Sequence, residues 1–142
     1  MKTRASVIAT AIAASGLTLA LNAIAAPDLP TTHTQGPVTY VTGGVGRTEA
    51  DAIMHAAKFY PLELEFLLKA KPRDEYLAGV KVRIKDAHDK MLLNVKSEGP
   101  FLLAKMPVGK YTVSAERDHK MEHRQIEISA KEHRRVVFEW RS

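Results

Sequence analysis

From Pro61 onward, apolar side chains recur at every second position. Leu62, Leu64, Phe66 and Leu68 alternate with Glu63, Glu65 and Leu67. Val80, Val82 and Ile84 alternate with Lys81, Arg83 and Lys85. Tyr111, Val113 and Ala115 alternate with Thr112, Ser114 and Glu116, Ile126 and Ile128 flank Glu127, and Val136, Phe138 and Trp140 flank Val137 and Glu139. A repeat of two belongs to an extended chain, whose side chains point to opposite faces in turn; a helix repeats near 3.6. Met91–Val95 and Phe101–Ala104 add two apolar runs, for about seven short strands. Turn chemistry separates them: Asp86-Ala87-His88-Asp89-Lys90, Ser97-Glu98-Gly99-Pro100, Pro107-Val108-Gly109 and Asp118-His119-Lys120. Short strands with turns every 8–12 residues or so predict a β-sandwich over 61–142, each strand giving one face to a shared core and one to water. Val82, Phe101, Tyr111 and Phe138 are expected in that core.

Residues 38–60 read differently. Val38–Val41 suits a short strand, and Gly43-Gly44-Val45-Gly46 then breaks the chain. Thr48-Glu49-Ala50-Asp51 fits a capping box, with Thr48 as N-cap and Asp51 three residues on. Ala50, Ile53, Met54 and Ala57 follow at helical spacing, predicting a short amphipathic helix over 49–59 that Pro61 ends.

The N-terminus carries an address. Met1-Lys2-Thr3-Arg4 is basic, Ala5–Leu21 is uncharged and mostly apolar, and Ala23-Ile24-Ala25 supplies the small-x-small cleavage pattern. This is the layout of a Sec-type signal peptide over 1–25, implying export to the periplasm or beyond, with no membrane span left after cleavage. Residues 26–37 hold three Pro and three Thr among few apolar groups, and are expected to form a flexible leader. Without Lys2 and Arg4, the 21 basic residues fall to 19 against 16 acidic, an excess too small to imply a nucleic-acid partner. The chain has no Cys, which excludes disulfides, thiolate metal sites, a thiol nucleophile and N-terminal Cys lipidation.

Three stretches, taken together, carry a family likeness. Leu77-Ala78-Gly79-Val80-Lys81-Val82-Arg83-Ile84-Lys85-Asp86 is similar to the opening of carboxypeptidase regulatory-like domains, L-x-G-V-x-V-x-I-x-D. Gly99-Pro100-Phe101-Leu102-Leu103 resembles their G-x-F-x-L step. Met106-Pro107-Val108-Gly109-Lys110-Tyr111-Thr112-Val113-Ser114-Ala115 resembles their L-P-x-G-x-Y-x-V-x-A hallmark, with Met106 in place of Leu. The mature chain as a whole resembles small exported proteobacterial proteins carrying such a domain. The resemblance implies a seven-stranded prealbumin-like (transthyretin-like) sandwich and a non-catalytic module; related sandwiches bind carbohydrate. The hallmark also has a physical reading. Pro107 and Gly109 reverse the chain, and Tyr111 sends its ring inward while its hydroxyl reaches a backbone group, as in a tyrosine corner.

Candidate chemistry is sparse. His119 and His123 lie four apart, with His133 beyond, and are the candidate metal ligands, copper being the metal to test. On a strand the first two stand about 13 Å apart, too far to share one ion unless the chain bends. Gly43, Gly44 and Gly46 ahead of a helix N-terminus, assisted by Arg47, form a candidate anion site; the other reading is a bend that lets the chain pass close to the sandwich. Lys81, Arg83 and Lys85 form a basic stripe and Glu63 and Glu65 an acidic one. These either pair across strands or leave the basic stripe for a polyanion such as lipopolysaccharide or an acidic glycan, a reading to which Lys131, His133, Arg134 and Arg135 add weight. No G-x-S-x-G is present. Trp140-Arg141-Ser142 resembles the Tyr-Arg-Gly-Ser tail of 5-hydroxyisourate hydrolase but lacks its Gly, and the family's N-terminal His signature is missing, so that chemistry is not expected.

The expectation is a mainly β chain with one short N-terminal helix, exported, non-enzymatic and without a cofactor, that binds a protein or glycan of the envelope. Edge strands offer a route to homo-oligomers. The alternatives are a small metal-handling protein using His119 and His123, or a transthyretin-related hydrolase.

Overall fold

The computed structural model describes residues 29–141. The expected signal segment and the first residues of the leader lie outside the described residues. The chain is mainly β. Its strands are β1 (His33–Gln35), β2 (Val38–Gly43), β3 (Leu62–Lys69), β4 (Glu75–Tyr76), β5 (Lys81–Asp86), β6 (Met91–Lys96), β7 (Phe101–Lys105), β8 (Gly109–Arg117), β9 (Lys120–Ile128) and β10 (Arg134–Arg141). One helix, α1 (Arg47–Ala56), runs into a single 3₁₀ turn at Ala57–Phe59. Among the described residues no helix is long and apolar enough to cross a membrane.

Two sheets share one core. Sheet A has the order β1-β2-β7-β3-β10, with β4 beside β3; sheet B has the order β6-β5-β8-β9. All pairs are antiparallel except β3–β10, which is parallel and in register from Arg134↔Leu62 to Arg141↔Lys69. Between the sheets lie Val38, Leu62, Leu64, Phe66, Leu102 and Phe138 from sheet A, and Val82, Ile84, Leu93, Tyr111, Val113 and Ile128 from sheet B. Phe66 and Phe138 stack across the parallel pair with centroids 6.0 Å apart, a favourable offset arrangement.

Four expectations need correction. Sequence alternation counted seven strands from residue 61, where the structure has eight; β4, with two residues, is too short to show an alternation. The sandwich does not begin at 61, because β2 lies inside sheet A, paired with β7. Residues 33–35 of the leader are a strand, since Gly36 at φ 52° makes a two-residue turn with Pro37 and returns the chain along β2. Phe101 is buried but not between the sheets. It joins Val41, Ile53, Ala57, Tyr60 and Leu103 in a second core, formed where α1 covers the outer face of sheet A. This is why Phe101-Leu102-Leu103-Ala104 is a continuous apolar run, as strands covered on both faces are.

The open sides of the sandwich are bridged. The Gln35 side chain accepts from Asn94 N–H (3.0 Å) and donates to Asn94 O (3.4 Å), tying β1 to β6. On the other side Trp140 Nε1 donates to Lys120 O (3.1 Å), tying β10 to β9.

Candidate ligand-binding surface

Alternation in β5 sends Val82 and Ile84 into the core and turns Lys81, Arg83 and Lys85 to the outer face of sheet B. The register fixes their neighbours. Lys81 stands between Lys96 and Glu116, Arg83 between Asn94 and Ser114, and Lys85 between Met91 and Thr112. β9 extends these rows with Met121, His123 and Gln125. Lys85 has a partner in Asp89, at 3.5 Å. Lys81 and Lys96 lie directly opposite each other, an arrangement that costs stability between neighbouring strands. The row through Arg83 contains no acid: Asn94, Ser114 and His123 complete it, and Ser114 Oγ is 2.9 Å from His123 Nδ1. Arg83 Nε is shielded from solvent and has no hydrogen-bond partner among the described residues.

The acidic stripe is not on this face. Glu63 and Glu65 sit on β3 in the other sheet, beside Leu103 and Phe101, and are 8% and 4% exposed. β10 and the residue just before it supply their partners. Arg135 Nη2 donates to Glu65 Oε2, and Arg135 Nε approaches Glu63 Oε1 at 3.9 Å. The Glu65 hydrogen bond, followed by its charge, holds the Arg135 guanidinium above its ordinary value. His133 Nδ1 donates to Tyr60 O at 2.7 Å, and its Nε2 lies 2.7 Å from Glu63 Oε2. Tyr60 O only accepts, so Nδ1 carries the proton of that hydrogen bond. His133 and Arg135 are therefore engaged by two buried carboxylates, and of the second basic cluster Lys131 and Arg134 remain.

The glycine loop holds an anion, and the anion is the chain's own. Gly44 N–H donates to Glu49 Oε1 at 2.7 Å. Gly46, at φ 83°, takes the N-cap position expected of Thr48, and no side chain caps the helix. Glu49 is then the third helical residue, where a capping-box glutamate belongs, and it reaches back past the cap to Gly44. Gly44 has φ 101°, and a Cβ there would meet the Phe101 ring at 2.5 Å, so the loop is a close approach of backbone to core. The expected site of Gly43, Gly44, Gly46 and Arg47 is thus filled from within.

The three histidines are dispersed. Asp118 (φ 47°) and His119 (φ 61°) form the two-residue turn between β8 and β9, where both central residues need positive φ. His123 sits along β9 beside Ser114, and His133 is bound to Glu63 and Tyr60. Among the described residues no group of three His, Cys, Asp or Glu stands close enough to hold a metal ion.

Lys96 escaped the sequence reading, as did the burial of Glu63 and Glu65. Lys96 ends a strand of mixed pattern, and only the β5–β6 register shows that it faces Lys81. No family model matches the chain, and no curated protein matches it.

Proposed function

We propose that the chain is an exported, non-catalytic binding module of the cell envelope, a prealbumin-like sandwich of carboxypeptidase regulatory-like type, and that the outer face of sheet B engages an acidic polymer. The basic–apolar–small layout of residues 1–25 supports export. The observation that carries the binding role is the row geometry: Lys81 and Lys96 face each other and Arg83 has no acid beside it. A chain of carboxylates, sulfates or phosphates laid along β5 relieves that repulsion and offers the Arg83 guanidinium an acceptor. From Lys81 to Lys85 the stripe covers roughly 13 Å of strand on an open sheet face, which suits a linear polymer better than a small molecule.

Retention on an immobilised sulfated or carboxylated polysaccharide, read as the salt needed for elution, tests this. Exposed ion pairs contribute up to about 1 kcal/mol each. Lys81→Gln, Arg83→Gln and Lys85→Gln together are expected to weaken binding about tenfold or more. Lys69→Gln with Lys71→Gln, outside sheet B, leaves elution unchanged. Equal loss from both sets overturns the assignment of the face, and no retention of the parent protein overturns the acidic-polymer reading.

A further inference from the structure

Three segments meet at a cleft of about 370 Å³ that the acidic-polymer face does not include. They are the exit of the 3₁₀ turn (58–61), the β7–β8 connection (105–108) and the β9–β10 connection (128–133). Each brings one lysine to the cleft: Lys58, Lys105 and Lys131. None of these ammonium groups is in an ion pair among the described residues. Lys58 Nζ lies 5.1 Å from the Phe59 ring centroid and Lys105 Nζ 4.8 Å from that of Tyr60, so two of the cations rest on aromatic rings instead. One carboxylate, Glu132, also lines the cleft and is exposed, so the lysines outnumber it three to one, while Glu63 is committed to His133.

The apolar side of the cleft is equally distinctive. Phe59 (68% exposed) and Val108 (66%) are the two most exposed large apolar side chains among the described residues, and both line it. Below them Met106 and Ile128 form a buried apolar floor. Ser129 Oγ, also in the lining, is shielded from solvent and has no hydrogen-bond partner among the described residues.

The walls are fixed before any ligand arrives. His133 Nδ1 donates to Tyr60 O, and Arg134 N–H donates to Pro61 O at 2.8 Å, locking the first segment to the third. Tyr111 Oη donates to Pro107 O at 2.6 Å, holding the turn that presents Val108. Preorganisation of this kind lowers the ordering cost of binding.

We infer that this cleft binds a small amphiphilic carboxylate. The carboxylate head sits among the three ammonium groups, and the apolar tail lies against Phe59, Val108 and Met106. Cleft volume is at the lower end of small-molecule sites, which fits a ligand of modest size and not a polymer. Lysines act as point charges and suit a head group without a fixed bidentate geometry.

Titration of the isotopically labelled protein with octanoate, followed by amide chemical shifts, tests the site. Saturable shifts are expected around 58–61, 105–108 and 128–133. Acetate, which lacks the tail, and octanol, which lacks the charge, are each expected to bind at least about tenfold more weakly. Lys105→Met with Lys131→Met is expected to weaken octanoate by a similar factor, with the unfolding midpoint falling only slightly, since both residues are exposed and the contact given up is that of Lys105 with the Tyr60 ring. Phe59→Ser weakens it as well, and Lys81→Gln with Arg83→Gln leaves it unchanged. Shifts centred elsewhere, equal binding of octanol, or no saturation overturns the inference, whatever the fate of the acidic-polymer face.

Discussion

Tyr111 shows how one side chain serves packing and turn geometry together. Its ring is buried between the sheets while its hydroxyl donates to Pro107 O four residues back. Burial, and then the nearby Asp86 carboxylate, pushes the phenol above its ordinary value, so the fold favours the neutral form. The stability linked to this group is complete below about pH 10, the unfolded value, and is lost as pH rises through the higher folded value. Tyrosinate absorbance during alkaline titration is expected to show Tyr111 ionising above the ordinary phenol range. Asp86→Asn is expected to bring that step earlier, and Tyr111→Phe to remove it at a cost of about 1 kcal/mol in urea unfolding. An unshifted late step in Asp86→Asn would leave burial as the sole cause.

At the scale of elements, α1 is held by its buried face and not by its cap. Ile53 is fully buried against Val41, Phe101 and Leu103. Ile53→Ala is expected to cost about 2–5 kcal/mol by denaturant unfolding, whereas Met54→Ala, on the exposed side, costs about 0.5 kcal/mol or less. The strands were legible because the alternation of Val82, Ile84, Tyr111 and Val113 is driven by one dry face. The fate of the other face was not. Glu63 and Glu65 alternate with leucines as a water-facing stripe does, yet they are buried, because Arg135 and His133 arrive from 70 positions away to hydrogen-bond them. A pattern of two says that a strand's faces differ; it does not say that the polar one is wet. The glycine loop likewise had the composition of an anion site, and nothing local showed that Glu49 was the anion. The lysine cleft was invisible for a further reason, since Lys58, Lys105 and Lys131 come together only through the packing of three connections.

The whole molecule is a sandwich whose open sides are laced by side chains, Gln35 to Asn94 and Trp140 to Lys120. The parallel β3–β10 pair sets a condition on folding. β10 covers the flank of β3, stacks Phe138 on Phe66 and brings Arg135 to Glu65. A chain ending at His133 is therefore expected to lose cooperative urea unfolding, not merely to unfold at a lower concentration, because it retains two buried acids without Arg135 and an uncovered core. During synthesis every other described strand leaves the ribosome before β10 does. Until it emerges, β3 has no parallel neighbour and Phe66 no stacking partner from that side, so this flank of the sandwich is the last to close.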